Sequence, residues 1–558
     1  MLKFIVFVRF TLNYFKTKLL TIKHKYPMYK LKLLFSVFSL FIFFNACTPT
    51  KKIITTTTTT GKDTDKKIVD DGKLEFAVLQ LNDVYEIAQL SDGTGGMARA
   101  ATMRKQLLQK YPNRVLTVLS GDFLNPSLIG TVRVNGKAVQ GQQMVEVMNA
   151  TGVDYVTFGN HEFDLSLSDL QKRLDESTFK WVCANTEQKD SSGNLSLFKV
   201  RGVEVPKTAI VSFKDDEGTS VNIGLFGVVL PSNPKDFVKY SDVVQSSTDA
   251  VNSLNAQKVD AIFGITHVEI KDDHRIAKAN QSVSVLFGGH EHTNNRESEG
   301  NVMITKADAN ARTVYVHYVS IDKNTHNTKV RSELVTLDKT IALDSAVSVV
   351  VDKWVNISSE NFKKQGFDLD NSVTTITTPL DGRETSLRYK QTNLGTVVCK
   401  SFVDAAKKKV DVAFFNSGSI RFDDQLVGKV TQLDIIRMMP FGGKLYEADI
   451  IGSELQKVLK IGLSDNIGRG GFLQTGGVDI INAAEGKFKI GGVDFDPGKL
   501  YHCIFSDFLF TGKETGLSFF NPKNPGITNV DKSADGDLAD LRSDLRQVLI
   551  AYLKKNPN

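Results

Sequence analysis

Side chains that can bind metal ions follow five apolar segments of this chain, each where the segment ends. The segments are LEFAVLQL, RVLTVLS, YVTF, DAIFGIT and VSVLF. The side chains that follow them are Asp83, Asp122, Asn160, His267 and, after the last segment, His290 and His292. A single side chain of this kind after a strand is usually just a turn residue. Folding alone, however, gives no reason for imidazoles in these places. Carboxylate, amide and imidazole groups together suit Zn, Mn or Fe-type ions rather than thiophilic ones.

The apolar segments alternate with helix-like patterns from Lys73 onward, which is typical of α/β layering. Where strands run parallel, their carboxyl ends lie along one edge of the sheet, and ligands bind at that edge. An α/β fold would therefore bring the six side chains close together. The sequence predicts a metal site at this edge.

The order Asp, Gly-Asp, Gly-Asn-His-Glu, Thr-His and Gly-Gly-His-x-His resembles that of the calcineurin-like metallophosphoesterases. The stretch GNHEFD and the later segments VAFFNSGSIRFDD, MMPFGG and GGFLQTGGV resemble the 5′-nucleotidase family within them. The resemblance runs from Leu74 to the C-terminus. It implies an α/β protein with an N-terminal metallophosphoesterase domain of layered β-sheets flanked by helices (74–340), a linking helix (341–366) and a C-terminal α/β nucleotide-recognition domain (367–558).

The resemblance also implies two divalent metal ions, Zn, Mn or similar, that share one bridging carboxylate. The bridging residue would be Asp122. One ion would also take Asn160, His267 and His290, and the other Asp83 and His292. Two such ions can lower the pKa of a shared water and clamp the phosphoryl oxygens.

His161 and Asp164 resemble the catalytic dyad of the family. The imidazolium would stabilise developing charge or protonate the leaving oxygen, and Asp164 would raise its pKa and hold its orientation. Glu162 lies between them in the sequence. For Glu162 we expect either a solvated position or a supporting place beside a ligand.

Five residues of the C-terminal half resemble the substrate-binding set of the family: Arg388, Asn416, Arg421, Phe441 and Phe508. Planar guanidinium groups suit phosphate better than ammonium groups do. The two phenylalanines would stack on the base. Core packing is the alternative for each phenylalanine, since the chain contains 35 of them.

Three positions depart from the family pattern: Tyr85, Glu384 and Glu514. Tyr85 stands where the family has a histidine ligand, so the ion of Asp83, Asp122 and His292 is expected to bind more weakly than its neighbour. The alternatives are that the Tyr85 hydroxyl donates to a metal-bound water or a phosphate oxygen, or that its ring packs beside the strand end. Glu384 stands where a further arginine is common, and Glu514 where an aspartate is expected.

The predicted function is removal of phosphate from nucleotides by a two-metal hydrolase. The departures keep two alternatives open. The first is hydrolysis of other phosphoesters, such as cyclic nucleotides, nucleotide-sugars or sulfur analogues. The second is a metal-depleted lipoprotein that binds nucleotides without turning them over.

Residues 1–47 have the pattern of a secretory signal. From Met28, two lysines precede a short apolar run that ends at Ala46-Cys47. This pair resembles a bacterial lipoprotein box, which implies a lipid on Cys47 and a place in the cell envelope outside the cytoplasm. Residues 48–73 are polar and Thr-rich, as in a flexible tether. An uncleaved membrane anchor is the alternative.

The formal net charge of +6 is a poor guide to binding partners. Residues 1–46 contain eight Lys and Arg and no acidic residue, so the rest of the chain carries a net charge of −2. Without a basic excess, no binding to nucleic acid is expected. The expected partners are a phosphoester substrate and, through the lipid, a membrane. The sequence does not indicate an oligomeric state.

Overall fold

The computed structural model describes residues 70–90, 92–232, 235–422 and 424–557. The predicted signal segment, Cys47 and nearly all of the predicted tether lie outside the described residues. Within the described ranges, no helix is both long enough and apolar enough to cross a membrane. The described chain has two α/β domains with mixed sheets and flanking helices, which confirms the predicted fold class.

Two six-stranded sheets form the centre of the N-terminal domain. In spatial order, the strands of the first are Asn327–Thr336, Thr313–Asp322, Lys73–Leu81, Val115–Ser120, Tyr155–Thr157 and Lys180–Trp181. Those of the second are Thr208–Lys214, Ser220–Val229, Ala261–His267, Val283–Gly288, Val302–Lys306 and Asn295–Glu299. Four neighbouring strands of each sheet run parallel, so their carboxyl ends share an edge.

An apolar layer fills the space between these two sheets. It includes Phe76, Phe213 and Phe263, and the ring centroids of Phe76 and Phe213 lie 5.0 Å apart. The main flanking helices are Met97–Lys110, Gln142–Thr151, Leu167–Glu176, Val243–Ala256 and Ile270–Ala279. Strand Val115–Ser120 is buried at every position because both of its faces are covered, which explains its continuous rather than alternating apolar pattern.

Shorter elements complete the N-terminal domain. They are the helix Leu128–Thr131, the 3₁₀ turn His161–Asp164 and the strands Arg133–Val134, Lys137–Ala138, Thr186–Lys189, Leu195–Ser196, Lys199–Val200, Val203–Glu204 and Val238–Tyr240.

The C-terminal domain is built on a five-stranded sheet. Its strands, in spatial order, are Leu473–Gly476, Val412–Asn416, Leu500–Ser506, Leu445–Ile451 and Ile527–Lys532. Ser372–Asp381 pairs with Gln425–Thr431, and Val478–Asn482, Lys487–Ile490 and Val493–Asp494 form a small sheet. The helices are Glu384–Leu387, Asn393–Ala405, Gln432–Met438, Gly452–Lys460 and Leu545–Lys555, with 3₁₀ turns at Ser417–Ser419, Asp507–Thr511 and Leu541–Ser543 and a π-helical turn at Ile461–Asp465.

A 20-residue helix, Ser345–Lys364, lies within the segment predicted to link the domains. Asp344 caps it by accepting hydrogen bonds from the backbone N–H groups of Ala346 and Val347. This cap satisfies amides that the first turn of a helix leaves without an intrahelical partner. The Trp354 indole donates to Glu146, which holds the helix on the N-terminal domain. The domain boundaries themselves stay a prediction.

Candidate active site

Four predicted metal ligands converge where the parallel strands of both sheets end. Donor atoms of Asp83, Asp122 and His267 lie within 4.8 Å of one another, and all three side chains are buried. The Nε2 atom of His267 lies 3.1 Å from Asp122 Oδ2 and 3.2 Å from Asn160 Oδ1. The first and second sheets therefore each contribute to one cluster of donor atoms.

The two remaining predicted ligands, His290 and His292, lie in the loop after strand Val283–Gly288. The backbone N–H of His290 donates to Asp83 Oδ2 at 2.9 Å, and its ring centroid lies 5.5 Å from that of His267. The Nε2 atom of His292 lies 3.5 Å from Asp83 Oδ1. The structure thus brings all six predicted ligands together.

This donor set suits divalent cations. Asp83 and Asp122 are buried carboxylates, and two buried negative charges require positive charge close by. His267 turns its Nε2 atom toward them because Nδ1 lies 2.7 Å from the carbonyl oxygen of Ser120. Imidazole ligands of metals are commonly oriented by such a hydrogen bond at the other ring nitrogen. The residues present therefore fit the metal ions that the sequence predicts.

Three residues of the cluster have left-handed backbone conformations. The φ angles are 52° at Asp83, 55° at Asp122 and 87° at His290. At non-glycine residues such conformations cost on the order of 1–3 kcal/mol each, and they concentrate at functional sites. The loops also approach each other closely, since a Cβ atom added at Gly159 would overlap Asp122 Oδ1. The surrounding structure must therefore hold these loops in place.

Glu162 is one of the residues that hold them. Its side chain is fully buried, so the solvated position that the sequence left open is wrong. Its carboxylate accepts hydrogen bonds of 2.6–2.9 Å from four backbone N–H groups, those of Asp122, Phe123, Leu124 and Gly159. Glu162 thus ties the loop that carries Asp122 to the loop that carries Asn160.

Lys306 ties together the loops that carry His267 and His290, and the sequence did not predict this role. Its buried Nζ donates to the carbonyl oxygens of Val268, at 2.7 Å, and Gly289, at 2.8 Å. These residues directly follow His267 and directly precede His290. The ammonium also pairs with Asp273, at 2.8 Å, and with Glu291. The available signal was a lysine at the end of the apolar strand VMITK.

The predicted dyad is formed within the 3₁₀ turn His161–Asp164, where the spacing of three residues brings the side chains to one side. His161 Nδ1 lies 2.8 Å from Asp164 Oδ2. Burial alone would lower the pKa of His161, but the charge of Asp122 and the hydrogen bond that His161 donates to Asp164 outweigh it and raise the pKa. Burial opposes ionisation of Asp164 too, yet His161, Arg421 and Lys235 together lower its pKa.

The C-terminal domain places Arg421, one of its two predicted substrate-binding arginines, beside this dyad. The guanidinium of Arg421 lies 2.9 Å from Asp164 Oδ2. Arg421 also lies 3.8 Å from a carboxylate oxygen of Glu384, and the same oxygen pairs with Arg388. Glu384 therefore occupies a position between two cations that could otherwise both face an anion.

The other three predicted substrate-binding residues lie on the same domain. Asn416 ends strand Val412–Asn416 and donates to Glu514 at 3.2 Å. Phe441 and Phe508 are 59% and 43% exposed, which excludes core packing as the reason for either ring. The Arg421 guanidinium lies 5.7 Å from the centroid of the Phe441 ring. Their role in stacking on a base stays a prediction.

A cleft of about 440 Å³ lies between the two domains at this site. The N-terminal domain contributes Tyr85 and Ser127 to its lining, and the C-terminal domain contributes Arg421 and Phe422. Cavities of this size are typical of small-molecule sites. The cleft thus borders the candidate site through Tyr85 on one side and Arg421 on the other.

Comparisons with known proteins match the N-terminal and C-terminal domains to two different family models. Residues 76–294 match the calcineurin-like phosphoesterase family, and residues 372–521 match the 5′-nucleotidase C-terminal domain. The chain is 26% identical over 458 residues to snake venom 5′-nucleotidase of Crotalus adamanteus, covering 74% of each chain. It is 25% identical over 504 residues to 5′-nucleotidase of Homo sapiens, covering 79% of this chain and 84% of that one.

A solved structure shares the fold. It is a 5′-nucleotidase precursor from Thermus thermophilus, with a TM-score of 0.61 and 20% sequence identity. The likeness covers 86% of this chain and 96% of that one. Both domains are therefore included in the shared architecture.

Proposed function

Because the chain belongs to the calcineurin-like metallophosphoesterases of 5′-nucleotidase type, we propose that it removes phosphate from nucleotides with the help of two divalent ions. The observation that carries this proposal is the convergence of three groups: the buried cluster of candidate metal ligands, the His161–Asp164 pair and Arg421 of the C-terminal domain. Catalysis of phosphoryl transfer consists mostly of positioning and charge neutralisation, and these groups supply both.

The metal ligands divide into two overlapping sets. Asp122, Asn160, His267 and His290 would hold one ion, and Asp83, Asp122 and His292 the other. Zinc or manganese is the proposed identity, since both accept this mixture of oxygen and imidazole ligands. Ions in such a site supply Lewis acidity toward the phosphoryl oxygens and lower the pKa of a coordinated water.

The protein groups act on the substrate as follows. As an imidazolium, His161 donates its Nδ1 proton to Asp164 and has a second proton on Nε2, which it would donate to the departing oxygen or use to stabilise charge on the phosphoryl group. Arg388 and Arg421 bind phosphate, and Asn416 with Glu514 presents hydrogen-bonding groups to the ribose. Phe441 and Phe508 bind the base by stacking.

Hydrolysis of other phosphoesters is the second candidate, and Glu384 favours it. Its carboxylate pairs with Arg388 and lies near Arg421, so it reduces the positive charge available to a doubly charged monoester. A diester, a cyclic nucleotide or a nucleotide-sugar carries less charge on each phosphate and needs less compensation.

A panel assay separates these functions. Purified protein with added Mn²⁺ or Zn²⁺ is offered nucleoside 5′-monophosphates, a cyclic nucleotide, a nucleotide-sugar and a non-nucleotide ester. We expect the fastest phosphate release from a 5′-monophosphate. Faster cleavage of the cyclic or sugar-linked substrate would favour the second candidate. Tight binding of nucleotides without release from any of them would support a binding protein instead.

The base-binding role of Phe508 predicts a selective loss. Phe508→Ala should weaken nucleotide binding by about 1–3 kcal/mol, the usual contribution of one stacked base, and leave inhibition by inorganic phosphate unchanged. Competition assays with both ligands measure the two affinities. Val493→Ala, at a 70% exposed position of the small sheet, is a matched control. An equal loss for nucleotide and phosphate would show that Phe508 does not contact the base.

The proposed location is the cell envelope, outside the cytoplasm, with the enzyme anchored by a lipid on Cys47. The support is the basic start, short apolar run and Ala46-Cys47 pair of the sequence. Expressed with its own signal in bacteria, the protein should take up labelled fatty acid and fractionate with membranes, and Cys47→Ser should do neither. Equal labelling of the two forms would overturn the anchor.

A further inference from the structure

A lysine that the sequence did not single out, Lys235, lies beside the proposed dyad. It belongs to the turn between strands Ser220–Val229 and Val238–Tyr240, and its ammonium group is 3.2 Å from Asp164 Oδ1. The carbonyl oxygen of Lys235 accepts a hydrogen bond of 3.0 Å from the backbone N–H of Val238, which anchors the turn. The Lys235 side chain is 32% exposed, so its charge is partly solvated.

The Asp164 carboxylate is shared between the two domains. Lys235 of the N-terminal domain pairs with Oδ1, and Arg421 of the C-terminal domain lies 2.9 Å from Oδ2, the oxygen that also faces His161. The Asp164 side chain is 8% exposed, and a carboxylate so far removed from water requires positive charge nearby. Lys235 supplies part of this charge, so Arg421 does not have to supply all of it.

The fixed charges around the dyad show what Lys235 changes. Two carboxylates and two guanidinium groups are linked by contacts: Glu384 pairs with Arg388, and Arg421 lies 3.8 Å from Glu384 and 2.9 Å from Asp164. The two negative and two positive charges cancel, which leaves no net charge on these four side chains. With Lys235 included, the group carries a net charge of +1.

This added charge distinguishes between classes of ester. A phosphomonoester carries close to two negative charges at neutral pH, whereas a diester carries one. Attraction to a fixed charge is proportional to the charge of the ligand, so an additional positive charge favours the monoester. We propose that Lys235 is a specificity-determining residue that makes this site select doubly charged phosphomonoesters. The inference rests on the proposed hydrolysis of phosphoesters.

Glu384 and Lys235 would act on selectivity in opposite directions. The carboxylate of Glu384 offsets an arginine and so favours a singly charged ester, whereas Lys235 restores the lost positive charge. Removal of the Lys235 charge leaves the group neutral, and removal of the Glu384 charge raises its net charge to +2. Because each change is one unit of charge, the two effects should cancel in a double variant.

Relative activity toward a monoester and a diester tests the proposal. p-Nitrophenyl phosphate and bis(p-nitrophenyl) phosphate share a leaving group and differ by one charge, and kcat/KM is measured for each with the metal-loaded enzyme. In Lys235→Met, the monoester-to-diester ratio should fall about 3- to 10-fold, the order expected for one unit charge at a partly solvated position. Lys235→Arg should keep the wild-type ratio, and Glu384→Gln should raise it by a similar factor. The double variant Lys235→Met, Glu384→Gln should return to the wild-type ratio.

Lys239→Met is the matched control, since Lys239 is exposed on the strand that follows the same turn. Its monoester-to-diester ratio should equal that of the wild type. An equal loss of kcat/KM for both esters in Lys235→Met would show that Lys235 merely holds Asp164 in place, and the selectivity role would be wrong.

Equilibrium binding separates this inference from the proposed function. Inorganic phosphate and dimethyl phosphate are, at about pH 8, close to doubly and singly charged, and calorimetry measures their affinities without turnover. Lys235→Met should weaken binding of phosphate more than binding of dimethyl phosphate. If no ester were hydrolysed but this difference appeared, the proposed function would fail and the role of Lys235 would stand. An unchanged ratio of the two affinities would overturn that role.

Discussion

Replacement of His161 by Asn lowers turnover by roughly 10²–10⁴, the usual contribution of a positioned acid or base. Asn retains the backbone N–H that donates to Asp122 Oδ1 at 2.8 Å, so the loop beside the metal cluster is preserved. It removes the imidazole whose proton Asp164 orients. Steady-state kinetics with a 5′-monophosphate measure the loss, and the metal content of the variant should stay close to that of the wild type.

The control for this substitution is another histidine that pairs with carboxylates. His274 lies 2.6 Å from Glu297 and 3.0 Å from Glu299 on the surface of the N-terminal domain. His274→Asn should leave turnover within a factor of two of the wild type. If His161→Asn lost its metal together with its activity, His161 would belong to the coordination shell and the proposed dyad would be wrong.

Replacement of Lys306 by Met lowers both stability and metal affinity. It leaves Asp273 buried without its cation, and removal of one partner from a buried ion pair costs about 3–5 kcal/mol. The free energy of unfolding, measured by urea denaturation of the metal-free protein, should fall by that amount. Because Lys306 also ties the His267 loop to the His290 loop, metal affinity should fall 10- to 100-fold.

Lys271→Met is the matched control, since Lys271 pairs with Glu269 at an exposed position of the same domain. Exposed ion pairs contribute about 0–1 kcal/mol. In Lys271→Met, therefore, the free energy of unfolding should change by no more than that, and metal affinity should stay close to that of the wild type. A Lys306 variant that unfolds more easily but binds metal as tightly as the wild type would show that Lys306 stabilises the domain without positioning the histidines. No change in either quantity would contradict its buried pairing.

The predicted ligands could be identified from motifs in the sequence, but the residues that hold their loops in place could not. Glu162 fits a surface turn in the sequence as well as it fits a buried position. Its role became visible only when the loops that carry Asp122 and Gly159 were placed around its carboxylate. The sequence around Lys306 contains no motif as specific as those that identify the predicted ligands. Its partners come from two other loops and a helix, so only the folded structure brings them to it.

The sequence by itself determined which side chains form the candidate site. The ligand types, their order at strand ends and the dyad with its spacing of three residues depend on short-range pattern, and a strand carries the residue at its end to a definite edge. The tertiary structure alone decided how distant segments meet. Arg421 contacts Asp164, 257 residues away in the sequence; Glu384 pairs with Arg388 beside Arg421; and the Tyr85 hydroxyl lies among the predicted metal ligands. Such contacts are set by the packing of sheets and domains, which no local pattern of residues encodes.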